Sequence, residues 1–402
     1  MPALATLLSQ GFRLADRLLP ESAFPVESAE QLVRAAGVAP SPDALAGLER
    51  LLDSIRAESA LSLFGRVSLH WDFLRLLRNA SLIEAAHASN PALSATPVKA
   101  PLFILGLPRS GTSFLHSLLA EDPANQVPRN WQMIYPAPRP PGFSPRADKR
   151  VGKVDKQLEL FNGLAPGFRE LHPITADSPQ ECSEITAHVF QSLRFDSTHR
   201  VPSYFDWLEA HGHDDAFRFH KKFLQYLQAG EPARWVLKCP DHTFTLSAIL
   251  RVYPDARFVI LHRDPIAVLG SVAHLTQVLR QPFLREIDAG EIGAQVAARW
   301  TQGANLLLEF DRRTDVPAAA KFHMQYEEFT ADPVLAVERI YAHFGEELTE
   351  PGLQAMRRMA EAKPRGGYGR HAPYRLEAFK LSVPALQKAF SPYVQQYCQA
   401  AR

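Results

Sequence analysis

The feature that most narrows the folds open to this chain is the junction at residues 101–120. Pro101-Leu102-Phe103-Ile104-Leu105 is an unbroken apolar run, which suits a strand buried on both faces of a parallel sheet. A glycine loop follows at once, Gly106-Leu107-Pro108-Arg109-Ser110-Gly111-Thr112-Ser113, and then a helix-forming stretch over residues 114–120. Strand, glycine loop and helix together make a phosphate cradle, because loop N–H groups and the positive end of the helix dipole face one anion. The spacing Gly106-xxxx-Gly111 equals that of a nucleoside-triphosphate loop, which carries Lys at the next position and Ser/Thr for Mg²⁺ after it. Here the next position is Thr112, and the cation lies inside the loop at Arg109. Arg109 with Ser110, Thr112 and Ser113 suits a tetrahedral anion held by a guanidinium fork and hydroxyls, without metal. The plainer alternative is a tight turn whose helix is capped by Ser110 or Thr112.

The rest of the chain extends this unit. Residues 235–238, 257–261 and 321–324 read as further short strands, with helical stretches such as 241–252 and 265–279 between them. Alternating strands and helices predict an α/β protein, a P-loop-like three-layer fold around a central parallel sheet. Residues 1–100 predict a helical N-terminal extension, and residues 101–402 the α/β domain. Ser41-Pro42-Asp43 is a helix start, and Leu45, Leu48, Leu51, Leu52 and Ile55 then recur at helical spacing. The segment 122–178 is rich in Pro, Arg and Gly and is expected as an irregular lid or substrate loop. Residues 331–402 read as helical apart from a glycine- and arginine-rich break at 363–370.

Composition removes several classes of function. Forty-four Lys and Arg stand against 43 Asp and Glu, which gives no basic surface for duplex nucleic acid or an acidic membrane. The three cysteines, Cys182, Cys239 and Cys398, are far apart and show no zinc spacing, so a reduced compartment is expected rather than a disulfide framework. No secretory leader and no apolar run of membrane-spanning length is visible. A soluble, cytoplasmic protein is the expectation. Its oligomeric state is not legible in the sequence.

Pro108-Arg109-Ser110-Gly111-Thr112-Ser113 resembles the 5′-phosphosulfate loop of sulfotransferases that use 3′-phosphoadenosine 5′-phosphosulfate (PAPS), and in particular their soluble bacterial-type branch. His262-Arg263-Asp264-Pro265 followed by Ser271 is similar to the family's strand-end motif, in which Arg and a Ser eight residues on bind the 3′-phosphate. Arg365-Gly366-Gly367-Tyr368-Gly369-Arg370-His371 is loosely similar to a late basic segment that closes over the nucleotide, and Arg365 is its candidate 3′-phosphate ligand. Leu237-Lys238-Cys239-Pro240-Asp241-His242 is similar to a Leu-Lys-Ser-Pro-x-His segment of the same branch. The resemblance implies a PAPS donor and no metal. It places Arg109, Ser110, Gly111, Thr112, Ser113, Arg263 and Ser271 on the donor, with Arg109 and Lys238 as the cations at the reacting centre.

Sulfuryl transfer is an in-line displacement, so the chain must position the groups and oppose spreading negative charge. A base at the acceptor hydroxyl helps. Where the branch often reads Trp-Glu this chain has Trp131-Gln132, and an amide takes no proton at neutral pH. His172 and Glu181 remain as candidate bases. Glu181 lies in Asp177-Ser178-Pro179-Gln180-Glu181, which also reads as a helix start capped by Ser178. His242 and His262 are secondary candidates for contact with phosphate or substrate. Aromatic residues between 185 and 229 recur mostly at helical spacing, as core does; some of them are expected to line a pocket for a small hydroxylated or amine acceptor of apolar or aromatic character. The competing readings are a P-loop kinase or NTPase and a nucleotide-binding adaptor without chemistry.

Overall fold

The computed structural model describes residues 10–12, 14–19, 24–139, 142–362 and 374–398. The chain forms two compact units, one of residues 98–127, 233–275 and 288–402, the other of residues 1–97, 128–232 and 276–287. Among the described residues no helix is long and apolar enough to cross a membrane.

The first unit is built on a five-stranded sheet: β1 (Leu102–Gly106), β2 (Asn125–Gln126), β3 (Arg234–Lys238), β4 (Arg257–His262) and β5 (Lys321–Gln325). All pairings are parallel and the order is β2-β3-β1-β4-β5. The period of two sorts the side chains between faces. Ile104, Val259 and Leu261 pack with Leu115, Leu118 and Phe329 on one side. Phe103 and Phe258 meet Tyr253 and Phe310 on the other. Helices thus cover both faces, as an all-parallel sheet requires. The β2 strand has only two residues. A polar knot at the N-terminal end of β3 holds it, with Arg234 donating to Asp122 Oδ2 at 2.7 Å and to the Asn125 amide oxygen; apolar patterning has no part in it, and the sequence carries no strand signal there.

The helical stretch 241–252 divides into a 3₁₀ turn, Pro240–Phe244, and an α-helix, Leu246–Val252. Thr245, at φ −116° and ψ 12°, lies outside helical geometry and separates them.

In the second unit Ser41 caps the helix Pro42–Glu58 by accepting from the Ala44 N–H. Residues 29–95 do not pack only among themselves. Ser59 Oγ donates to Arg200 O at 2.7 Å, and Gln225 Nε2 to Ser94 O at 3.0 Å. Phe190, Phe195, Tyr204, Phe217 and Phe223 are buried as core. The segment 122–178 is more regular than its composition predicts, for it contains the helix Lys149–Leu164. Asp148 caps that helix, and Val151 and Val154 pack on Trp131. The proline-rich stretch 136–146 precedes this helix and hides its periodicity.

Candidate active site

In open parallel sheets, ligands gather beyond the carboxyl ends of strands where the strand order reverses. The strands β1, β3, β4 and β5 end at Gly106, Lys238, His262 and Gln325, and the residues that follow these ends converge. Gly106 is required by its backbone, at φ 142°, and by space, since a β-carbon there would lie 2.5 Å from Leu261 O. Gly111, at φ 85°, is the N-cap of the helix Thr112–Leu119 and provides no side-chain cap. The turn capped by Ser110 or Thr112 is therefore not formed. Ser110 is fully buried, and its Oγ has no hydrogen-bond partner among the described residues. A buried hydroxyl without a partner costs free energy unless a ligand completes it. Two glycines in left-handed geometry, an uncapped helix end and an orphaned hydroxyl fit an oxyanion of phosphate type.

Arg109 is the second outlier, a non-glycine residue at φ 67°. Such strain gathers at functional positions. Its Nε donates to Ser271 Oγ at 3.1 Å. Its carbonyl accepts from Arg263 Nη1 at 2.6 Å. The Arg263 guanidinium also lies 3.8 Å from the centre of the Tyr326 ring, and among the described residues no carboxylate pairs with it. Burial first, and the charge of Arg263 in addition, push the Arg109 pKa down, against the opposing pull of Tyr374 and Tyr326. Two guanidinium groups held this close favour an anion between them. Lys238 is buried, and its Nζ donates to Ser113 Oγ at 2.8 Å. Arg109, Arg263 and Ser271 thus bond to one another, and Lys238 bonds separately to Ser113 of the same glycine loop. Arg365 lies outside the described residues.

Other expected positions turn out differently. The His262 ring is fully buried and bonded to Tyr393 and His323, so it is turned away from any phosphate. His242 is buried against Phe103, with ring centres 5.0 Å apart. Ser178 does not cap a helix at Glu181. Its Oγ accepts from the Thr175 N–H at 2.9 Å, and the helix begins later, at Ser183. Gln132 Oε1 accepts from the Arg129 N–H and Nε2 donates to Ala137 O, which commits both ends of the amide to the local fold. His172 is partly exposed and follows the short helix Phe168–Leu171, whose Phe168 ring it faces. Glu181 is partly buried, and its N–H donates to Gln180 Oε1. Tyr326, which lies against the Arg263 guanidinium, belongs to none of the sequence motifs. Tyr326 directly follows β5, so the strand-end rule alone points to it.

A glycine loop at the tip of β1, joined to an arginine at the tip of β4, defines an α/β protein of the P-loop-like class. The profile of the sulfotransferase family matches residues 101–350, more than half of the sequence. The chain belongs to the sulfotransferase family, whose reaction is sulfuryl transfer. It is 24% identical over 299 residues to the omega-hydroxy-beta-dihydromenaquinone-9 sulfotransferase Stf3 of Mycobacterium bovis, covering 70% of each chain. Its fold is similar to the crystal structure of sulfotransferase STF1 from Mycobacterium tuberculosis, with 28% identity and a TM-score of 0.80 over 92% of this chain and 100% of that one. Sulfotransferase STF9 from Mycobacterium avium matches with 28% identity and a TM-score of 0.82, over 92% and 95%.

Proposed function

We propose that this sulfotransferase takes its sulfuryl group from PAPS and passes it to a hydroxyl on a small, apolar, lipid-like or aromatic acceptor. One observation carries the donor assignment. Arg109 follows the tip of β1 and Arg263 that of the neighbouring β4, and Arg109 bonds both to Arg263 and to Ser271 of the helix Pro265–Arg280, so the ends of one doubly phosphorylated nucleotide have cations on adjoining elements.

In this reading the Ser110 hydroxyl and the N–H groups of Gly111, Thr112 and Ser113 hold the 5′-phosphosulfate. Arg263 and Ser271 hold the 3′-phosphate, with Arg365 as a further ligand. The donor supplies the sulfuryl group and the leaving phosphate. Arg109 and Lys238 oppose the charge that grows on the bridging oxygen as the acceptor oxygen attacks in line. Neither needs a metal for this. His172 and Glu181 are the candidates for taking the acceptor's proton. The apolar acceptor is supported by the mycobacterial relative, which is named for a menaquinone.

A thermal-shift titration tests the donor assignment. Adenosine 3′,5′-bisphosphate at about one hundred times its Kd adds about 2.7 kcal/mol of apparent stability, a rise in Tm of several degrees. A rise given only by ATP with Mg²⁺, or by neither nucleotide, overturns the assignment.

A further inference from the structure

Behind the strand tip that carries Arg263 runs a chain of polar groups, buried at His262 and Tyr393 and half-buried at His323 and Asp311, for which sulfuryl transfer itself has no use. His262, the residue before Arg263, places Nδ1 2.9 Å from the Tyr393 hydroxyl and Nε2 2.9 Å from His323 Nδ1. His323 Nε2 lies 3.2 Å from Asp311 Oδ1. The Tyr397 hydroxyl and Gln396 Nε2 donate to Asp311 Oδ2 at 3.0 and 2.9 Å. The Tyr397 ring stacks on His262, with centres 3.9 Å apart.

Asp311 fixes every proton in this chain. An ionised carboxylate only accepts, so His323 presents Nε2–H to it. A neutral imidazole then leaves Nδ1 of His323 as acceptor, and His262 must donate from Nε2. That leaves Nδ1 of His262 to accept from the Tyr393 O–H. Tyr393 is thereby tied to the ring of His262, whose backbone runs directly into Arg263. Both rings stay neutral. Burial, with His323 next, lowers the His262 pKa to about 3, and burial lowers that of His323 against the pull of Asp311. Each hydrogen bond therefore has one direction, and the chain is a stiff brace.

We infer that Tyr393 is a positioning residue for the 3′-phosphate cradle: the brace from Asp311 through His323 and His262 to Tyr393 sets the backbone of Arg263, and so makes the C-terminal helix Val383–Tyr397 part of donor recognition. The inference rests on the assignment of Arg263 to the 3′-phosphate. Arg263 carries a long side chain that the Arg109 carbonyl and the Tyr326 ring steady. The aim of its guanidinium therefore depends on where its own backbone is held, and support of this kind governs the precision of a binding site.

The Tyr393→Phe substitution deletes one oxygen and keeps the ring. Isothermal titration calorimetry on the full chain compares adenosine 3′,5′-bisphosphate with adenosine 5′-monophosphate. The expected result is a rise of about tenfold in Kd for the bisphosphate, with the monophosphate changed less than twofold. An unchanged bisphosphate Kd overturns the inference. Equal weakening of both nucleotides also overturns it, since general loosening does not single out the 3′-phosphate. As a second variant, Asp311→Asn keeps the shape and removes the charge. Nitrogen-15 NMR of the wild-type rings is expected to show His262 and His323 as Nε2–H tautomers. In the variant this bias at His262 is lost and bisphosphate affinity falls with it; loss of the bias at full affinity refutes the brace. A wild-type protein that binds both nucleotides equally refutes the Arg263 assignment, a separate result that removes the inference as well.

Discussion

Arg109 offers a test in which stability and activity part company. Its backbone sits at φ 67°, where a residue with a β-carbon loses about 1–2 kcal/mol. Consider Arg109→Ala and Arg109→Gly together. Both delete the bond to Ser271 Oγ, a loss of about 0.5–1.5 kcal/mol. Both relieve the guanidinium that burial and Arg263 disfavour, and both keep the carbonyl that Arg263 holds. The variants differ only in backbone. Glycine escapes the left-handed strain and gives back roughly 0.5–1 kcal/mol through its looser unfolded chain. The glycine variant should therefore be the more stable by about 0.5–1 kcal/mol, or about 1–4 °C in Tm for a unit of this size. Differential scanning fluorimetry without nucleotide measures this. Transfer of labelled sulfuryl groups should fall by at least about 10²-fold in both variants, the scale of losing one oriented charge at a reacting centre. If the alanine variant melts at or above the glycine variant, the strain argument is wrong. If either transfers at the wild-type rate, Arg109 does not act at the reacting centre.

Three further outcomes follow from the structure. Asp122 is fully buried and accepts from Arg234, Tyr341, Thr349 and the Ala124 N–H. Asp122→Asn turns an N–H₂ group onto those donors and should cost about 3–5 kcal/mol; thermal unfolding that shows a loss below about 1 kcal/mol contradicts this. For the base, at least one of His172→Ala and Glu181→Gln should lower turnover by about 10²-fold, and steady-state rates in which neither falls remove both candidates. Burial lowers the pKa of His188, His220 and His262 to about 3 and of His199 to about 4. The unfolded chain therefore takes up protons on these residues first, near pH 6.5, and stability must fall as pH drops from about 6.5 towards 4, by at most about 1.4 kcal/mol per pH unit for each histidine. Asp72, which burial would raise but which Arg194 and Arg75 hold well below its ordinary value, extends the loss to lower pH. A Tm that stays flat from pH 6.5 to 4 refutes the buried-neutral assignment.

The parts of the site that could be read from the sequence are those whose cause is local. The run 101–105 is apolar because β1 is covered on both faces, and Gly106 is glycine because Leu261 O lies where a β-carbon would go. Ser41 before Pro42 marks a helix start for the same local reason. What was not legible depends on which strand lies beside which. The order β2-β3-β1-β4-β5 puts β4 and β5 side by side, and only that adjacency sets Tyr326 under Arg263 and His323 against His262. His262 shows the limit most clearly. It is the last residue of β4, where Phe258, Ile260 and His262 alternate onto one face. The ring of His262 therefore joins the layer that holds Phe310 and Tyr393, while Arg263 lies beyond the strand's end. The same alternation that removes His262 from a phosphate contact makes it available as a brace, and that period of two is written in the sequence.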